Sequence, residues 1–173
     1  MTINYPKHHR KIVNALLEGQ FLLYSDYDKF QSLKEHEEFY RTFFEESFGY
    51  TLEIRSEFAY LISEQTDEKL SRKVTIFLAI LCYELGQKTS DLKGRMKNDT
   101  FDYQEVEQYL KSETFEEVVT EMNMDDLRPF LNSLARRNII RYTDKSTYRF
   151  AFTEAINLFF EFAIGLYSEM KED

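Results

Sequence analysis

The sequence predicts a mainly helical α+β fold with small β-hairpins, arranged as tandem winged-helix domains packed together. Three observations support this prediction. The 173 residues include only five glycines and two prolines, which favours long helices and short connections. Apolar residues recur at helical spacing along most of the chain. Two further regions alternate with period two around a short polar link, as β-hairpins do, and each follows a group of helices.

The first predicted helix covers 7–18, and Gly19 is placed to end it. Its apolar residues share one side, namely Ile12, Val13, Leu16 and Leu17. A short extended piece is predicted at 21–23. Ser25, with Asp28 three residues later, resembles a capping box and predicts the start of a short helix.

A longer helix is predicted over 35–47, and Gly49 ends it. Its apolar stripe is aromatic, and we expect the rings to lie in the core rather than to form a ligand box. The stripe consists of Phe39, Tyr40, Phe43, Phe44 and Phe48. Two alternating runs follow at 50–55 and 58–63, with a two-residue link between them. This pattern predicts a β-hairpin.

The second half repeats the order of helices followed by a hairpin. A buried helix is predicted over 70–85, because its apolar run is too long for a typical strand. A polar loop is expected at 87–100. Thr100 then caps a predicted helix over 102–110, and a further short helix is expected at 115–122.

The next predicted helix opens at Asp125 and Asp126 and runs to Arg137. Pro129 is tolerated there because it falls in the first turn, where its missing N–H has no partner within the helix. Two alternating runs, 139–143 and 148–152, flank a polar turn and predict the second hairpin.

Thr153 is expected to cap a terminal helix over 154–170 that is apolar on nearly all sides. Such a helix requires burial on more than one side, which points to a partner or a dimer. Its aromatic residues are therefore candidates for an interface with a partner or in a dimer, namely Phe159, Phe160, Phe162 and Tyr167.

The predicted domains are an N-terminal winged-helix-like domain over 1–65 and a C-terminal winged-helix domain over 66–173. The boundary is expected near 64–67. No flexible linker separates the two halves, so we expect them to pack together.

Charge is distributed unevenly along a chain whose net charge is −9. From 99 to 126, ten acidic residues stand against one lysine, whereas from 128 to 149 six basic residues stand against one aspartate. The six are candidates for contact with DNA phosphates, namely Arg128, Arg136, Arg137, Arg141, Lys145 and Arg149. Alternatively, they pair with the preceding acidic segment, within the domain or across a dimer. Because Asn132 and Ser133 are almost the only polar side chains for base edges, any DNA contact is expected to be non-specific.

No catalytic, cofactor or metal site is predicted. The sequence contains no glycine-rich phosphate loop, so a nucleotide site would lie on another chain. His8 and His9 have no third ligand at useful spacing. Cys82 lies in an apolar run, and the paired carboxylates fit solvated helix faces. We therefore expect a non-enzymatic cytoplasmic protein that does not span a membrane.

Several stretches resemble, in order and with similar spacing, MukE, the small subunit of a bacterial condensin. They are Leu16, Glu18, Gly19, 26–30 (DYDKF), 35–40 (EHEEFY), 58–61 (FAYL), 80–83 (ILCY), 131–134 (LNSL), Arg136, Arg137, 148–150 (YRF), Thr153 and Glu154. The chain is shorter than MukE and has no long acidic tail, so it is more similar to the MksE branch of alternative condensins.

This resemblance implies a non-enzymatic, kleisin-interacting tandem winged-helix subunit of a MukBEF/MksBEF-like complex. It implies a homodimer that grips a MukF/MksF-like kleisin and, through it, serves a MukB/MksB-like SMC ATPase in handling chromosome or plasmid DNA near the nucleoid. The alternative from the residues is a stand-alone winged-helix DNA-binding transcriptional regulator, suggested by the basic segment at 128–149.

Overall fold

The protein divides into two units, Met1–Thr66 and Asp67–Asp173. The structure is a computed structural model that describes residues 4–63 and 68–172. The boundary expected at 64–67 lies outside the described residues. The helices and hairpins that the sequence predicts are present in both units, and the fold is mainly helical with small antiparallel hairpins.

Unit 1 has the element order of a winged helix. Its elements are α1 (His9–Leu17), β1 (Leu22–Leu23), α2 (Tyr27–Glu35), α3 (Glu37–Phe48), β2 (Thr51–Ile54) and β3 (Phe58–Ile62). The strands form an antiparallel sheet in the order β1-β3-β2, with Leu22 opposite Ala59 and Leu52 opposite Leu61. The sheet therefore gains a third strand from the extended piece expected at 21–23.

Unit 2 adds helices to the same plan. Its elements are α4 (Glu68–Gly86), α5 (Leu92–Asn98), α6 (Tyr103–Leu110), α7 (Glu116–Glu121), α8 (Leu127–Arg136), β4 (Ile140–Asp144), β5 (Arg149–Phe152), a 3-10 turn (Glu154–Ile156) and α9 (Asn157–Glu172). Phe101 takes the place of β1, because its backbone N–H and C=O both bond to Phe150 of the hairpin, at 2.7 and 3.1 Å.

Glycine ends α1 as the sequence predicts. Gly19 has a φ of +76°, and the N–H groups of Gly19 and Gln20 bond back to the carbonyls of Leu16 and Ala15, each at 3.0 Å. This is the Schellman arrangement, which satisfies two carbonyls that the helix end would otherwise leave unpaired. Gly49 ends α3 with a φ of +69°.

The expectation of a polar loop at 87–100 is wrong, because this segment contains α5. The carboxylate of Asp91 accepts the Gly94 N–H at 3.0 Å, and Met96 is fully buried. An aspartate cap and one buried side chain thus stabilise a helix too short for periodicity to reveal.

Two predicted helix caps are wrong. Asp26 and Asp102 occupy the N-cap positions assigned to the capping box at Ser25 and to Thr100, and neither caps with its side chain. Thr153 does occupy the N-cap position before Glu154, but its side chain makes no capping bond. Its hydroxyl donates to the Ile139 carbonyl at 3.1 Å and so connects the end of the hairpin to the loop after α8.

Each unit has its own core. In unit 1, Tyr40 and Phe44 are fully buried with Leu16, Leu33 and Leu52. Burial raises the pKa of the Tyr40 phenol to about 12. In unit 2, α4 packs along α9, and the Cys82 thiol is fully buried, which raises its pKa to about 12. Across 4–63 and 68–172, no helix combines the length and apolar character that a membrane span needs.

Candidate functional site

The six basic candidates lie on α8, on the residue after it and on the β4–β5 hairpin. Asp126 caps the start of α8, and its carboxylate accepts the Arg128 backbone N–H at 3.0 Å. One side of the helix is buried, with Leu127, Phe130, Leu131 and Leu134. The other side exposes Arg128, Asn132 and Arg136, as expected for an amphipathic helix at a surface.

The end of α8 positions Arg136 and Arg137. Asn138 adopts the left-handed conformation with a φ of +60°, and its N–H bonds to the Ala135 carbonyl at 3.1 Å. The Ile139 N–H bonds to the Leu134 carbonyl at 2.9 Å, which completes a Schellman motif with asparagine in place of glycine. Both arginines therefore lie at the negative end of the helix dipole, which favours cations.

A hydrogen bond fixes the hairpin to α8. The Tyr142 hydroxyl donates to the Asn132 side-chain oxygen at 2.8 Å, and burial raises the pKa of Tyr142 to about 12. Tyr148, with a φ of +56°, places its ring between those of Tyr142 and Tyr103, at centroid distances of 5.7 and 5.8 Å. The hairpin is thus held by one hydrogen bond and by a small aromatic cluster.

Two of the six cations have carboxylate partners within the unit. Arg128 binds both oxygens of Asp126, at 2.9 and 3.0 Å, and this hydrogen bonding lowers the pKa of Asp126. Arg149 approaches Asp102 at 3.2 Å. The proposed pairing with the acidic segment therefore accounts for these two arginines.

The other four cations make no ion pair with any carboxylate in the part of the chain that the structure describes. Arg136, Arg141 and Lys145 are exposed, and Arg137 is half-buried. These residues, Arg136, Arg137, Arg141 and Lys145, are called the unpaired cations below. Phosphate groups could approach them without displacing an internal partner.

The α8 surface has little capacity to distinguish one base from another. Asn132 already accepts a hydrogen bond from Tyr142, and Ser133 is half-buried. A groove beside the hairpin is lined by Asp102, Glu105 and Asp144 against one cation, Arg149, which is paired with Asp102. The excess of carboxylates would repel phosphates there. The arrangement suits contacts with a charged backbone and not with base edges.

Comparison with known proteins gives a family. The model of the family described as condensin complex protein MksE matches residues 7–164. The chain belongs to the MksE family. It is accordingly a component of a condensin complex, and its partners lie within such a complex. No match was found among curated proteins.

In this MksE-family chain, the aromatic candidates on α9 differ in exposure. Phe159 and Phe160 are buried, with 8% and 6% of their surface exposed, whereas Phe162 is 67% exposed. Tyr167 is half-buried, and a Cβ added at Gly86 would overlap its hydroxyl. Phe162 is therefore the one among these four that is available to a partner without rearrangement of α9.

The aromatic stripe on α3 is only partly core, which corrects the expectation for Phe39, Phe43 and Phe48. Phe44 is fully buried, but Phe39 and Phe43 are partly exposed and Phe48 is 44% exposed. Tyr40 and Phe44 lie on the side of α3 that faces the core, and Phe39 and Phe43 pack against the edge of that core. Phe48 is the last residue of α3, directly before the helix end at Gly49, and remains exposed although it lies one turn after Phe44.

No catalytic or metal constellation emerges from the residues described in this MksE-family member. They contain no group of three or more His, Cys, Asp or Glu side chains that could hold a metal ion. His9 is enclosed by aromatic rings, and burial lowers its pKa. The buried Cys82, with its raised pKa, lacks the thiolate character that a nucleophile requires.

Proposed function

We propose that this chain is the non-enzymatic, kleisin-binding accessory subunit of a MukBEF/MksBEF-like SMC condensin, and that it contributes to the handling of chromosome or plasmid DNA. The observation that carries the proposal is the match to the MksE family over residues 7–164. Two units with the winged-helix element order support it, because such units present surfaces to other macromolecules without chemistry of their own.

The proposed direct partner is a MukF/MksF-like kleisin, and a MukB/MksB-like SMC ATPase is reached through that kleisin. The absence of a glycine-rich phosphate loop from the sequence is consistent with ATP hydrolysis on another chain. The complex would act in the cytoplasm, in association with the nucleoid. The alternative of a stand-alone transcriptional regulator gains no support from the family match.

Co-purification tests the proposed partnership. The full chain is co-expressed with a MukF/MksF-like kleisin and a MukB/MksB-like SMC protein from the same genome, and the mixture is separated by size-exclusion chromatography. We expect the chain to elute with the kleisin, and the SMC protein to join only when the kleisin is present. Failure to form a complex with either protein contradicts the proposal.

We further propose that the unpaired cations contact DNA phosphates without regard to sequence. Arg136→Glu combined with Arg137→Glu should weaken DNA binding by the assembled complex without unfolding the protein, although carboxylates at the helix C-terminus will lower the melting temperature slightly. Arg128→Glu with Arg149→Glu is the control of equal charge change, and it should weaken DNA binding less because both arginines already have carboxylate partners. Unchanged DNA binding at low salt would refute the role, and loss of the folded state in the Arg136 and Arg137 variant would instead assign these arginines to folding.

The homodimer is proposed to form through the exposed side of α9 around Phe162. The buried Phe159 and Phe160 and the half-buried Tyr167 would support that helix from within the unit. Phe162→Lys should convert the dimer to monomers in sedimentation analysis and leave the circular dichroism spectrum unchanged. A dimer that persists in this variant would exclude the α9 surface.

A further inference from the structure

Unit 1 carries a continuous row of six rings along one side. Successive ring centroids lie 4.5, 5.6, 6.1, 5.8 and 6.0 Å apart. The rings, called the aromatic row below, belong to Tyr5, His9, Phe39, Phe43, Phe48 and Tyr50. They come from the segment before α1, from α1, from α3 and from the second residue after α3, so the fold assembles the row from separate parts of the sequence.

The aromatic row rests on the core but is not part of it. Phe39, Phe43 and Tyr50 pack against the core from outside, and each remains partly exposed. Tyr5 and Phe48, near the two ends, are 50% and 44% exposed. Stacked and edge-to-face rings of this kind are typical anchors in protein interfaces, because they bury a large area and lose little conformational entropy.

The charges beside the row differ between its two ends. Glu38, Glu45 and Glu46 are exposed on α3, the helix that also supplies Phe39 and Phe43. The one basic residue of α3, Arg41, is held by Glu37 at 2.8 Å and by the Leu52 carbonyl.

The other end of the row is basic, because the exposed Lys7, Arg10 and Lys11 are neighbours of Tyr5 and His9 in the sequence. Along α3, phosphates of a nucleic acid would be repelled, whereas lysine and arginine side chains would be attracted, both to the carboxylates and to the ring faces.

We propose that the aromatic row is the docking surface for an amphipathic segment of the kleisin whose basic residues lie along α3. Apolar side chains of that segment cover the exposed rings, and its cations meet Glu38, Glu45 and Glu46. The identity of the partner rests on the proposed function, whereas the chemistry of the partner rests on the rings and carboxylates alone. The proposal thus assigns the kleisin to unit 1 and DNA to unit 2.

A peptide titration tests the chemistry independently of the kleisin. The probe is a fluorescent amphipathic peptide of about 18 residues, five helical turns, with leucines on one side and lysines elsewhere. Its counterpart has glutamate at every lysine position. The full chain should bind the lysine peptide and not the glutamate peptide in fluorescence anisotropy. Equal binding of both peptides, or of neither, overturns the proposal.

Variants then locate the binding. Tyr5→Ser with Phe48→Ser should weaken binding of the lysine peptide by at least about tenfold. Tyr27→Ser is the matched control, because Tyr27 is 56% exposed, lies beside Asp26 and Asp28, and is outside the row. An equal loss in the control would show that any exposed ring near acids suffices, and would overturn the assignment.

A charge reversal avoids any loss of packing. Glu38→Lys with Glu46→Lys changes only exposed side chains, so the fold should be retained, as circular dichroism will show. The reversed chain should bind the glutamate peptide and lose the lysine peptide. Retention of the original preference would mean that the carboxylates do not select the partner, and the proposal would be wrong.

The kleisin itself gives the final test. The Tyr5→Ser, Phe48→Ser chain should fail to retain the kleisin on size-exclusion chromatography, while the Tyr27→Ser chain retains it. If the row variant retains the kleisin fully, the proposal is overturned and the proposed function stands. If neither the natural chain nor any variant retains the kleisin, the proposed function fails. The peptide titrations then still show whether the aromatic row binds a basic amphipathic segment. A row variant that merely dissociates a homodimer would identify the row as a self-contact, which also overturns the proposal.

Discussion

In both units a β-hairpin follows directly after a helix, and the charge of that helix differs between the units. In unit 1 this helix, α3, carries four carboxylates against one arginine, whereas in unit 2 its counterpart, α8, carries two arginines and no carboxylate. The same helix–hairpin arrangement therefore offers an acidic, aromatic surface in one unit and a basic surface in the other. The different partners proposed for the two units thus follow from side-chain chemistry and not from the fold.

The units also differ in how the hairpin is tied to that helix. In unit 1, Arg41 of α3 donates to the Leu52 carbonyl of β2 and is itself held by Glu37. In unit 2, Tyr142 of β4 donates to Asn132 of α8. The hydrogen bond in unit 1 involves a charged side chain and the one in unit 2 joins two neutral side chains. Salt should therefore change their contributions to stability differently.

The largest expected effect is the difference in stability lost when a buried and an exposed ring of the α3 aromatic stripe are each replaced by alanine. Phe44→Ala should lower the free energy of unfolding by about 3–5 kcal/mol, because it leaves a cavity at a fully buried site. Phe48→Ala, one helical turn later, should lower it by about 1 kcal/mol or less. Urea denaturation measures both. Equal losses would mean that Phe48 belongs to the core and would remove the basis for the aromatic row.

The next effect concerns the unpaired cations of unit 2. Arg141→Gln with Lys145→Gln should weaken DNA binding about tenfold and reduce the slope of log Kobs against log salt by about 2, since each phosphate contact contributes roughly 0.9. Arg128→Gln with Arg149→Gln should change the slope much less, because both arginines have internal partners. Titrations between about 50 and 200 mM salt measure the slopes. Equal slope changes would erase the distinction between paired and unpaired cations.

A smaller effect is expected for the two hydrogen bonds that join each hairpin to its helix. Tyr142→Phe should lower the free energy of unfolding by about 1 kcal/mol at any salt concentration, because a neutral hydrogen bond is lost. Arg41→Met should have a similar effect at low salt and a smaller one at high salt, because the exposed pair with Glu37 is screened. Urea denaturation at two salt concentrations measures this difference, and identical salt responses would contradict it.

The smallest effect is a pH dependence confined to unit 1, which contains all three histidines. Burial lowers the pKa of His9, so in the unfolded chain His9 takes up its proton near the ordinary value of about 6.5, while the folded chain does so only at lower pH. Stability should therefore fall as the pH falls from about 7.5 through 6.5. His9→Phe should reduce this loss, as thermal melts across that range will show. A parallel pH profile in the variant would argue against the assignment.

Periodicity in the sequence was sufficient for most of the fold. The breaks at Gly19 and Gly49 and the alternating runs around the polar links predict helix ends and hairpins, because these depend on local backbone preferences. The charge count over 128–149 likewise predicts where a basic surface lies. α5 was missed because seven residues contain barely two helical turns.

The rest depends on contacts between residues that are distant in the sequence. The N-cap of α2 is Asp26, one residue after the predicted Ser25. Arg149 is engaged by Asp102, which lies 47 positions earlier in the sequence. The aromatic row could not be predicted because a hydrophobic stripe does not reveal which of its members the core has room for. Tyr5 and His9 join the row only once α1 packs beside α3.

The buried position of Cys82 has a practical consequence. Its thiol is inaccessible, and its raised pKa keeps it protonated at neutral pH, so maleimide reagents should leave the native chain unmodified. A cysteine introduced at the exposed Thr42 of α3 or Thr143 of β4 would then be the single reactive thiol. Dyes or photo-crosslinkers attached there could report separately, within one assembled complex, on what touches each unit.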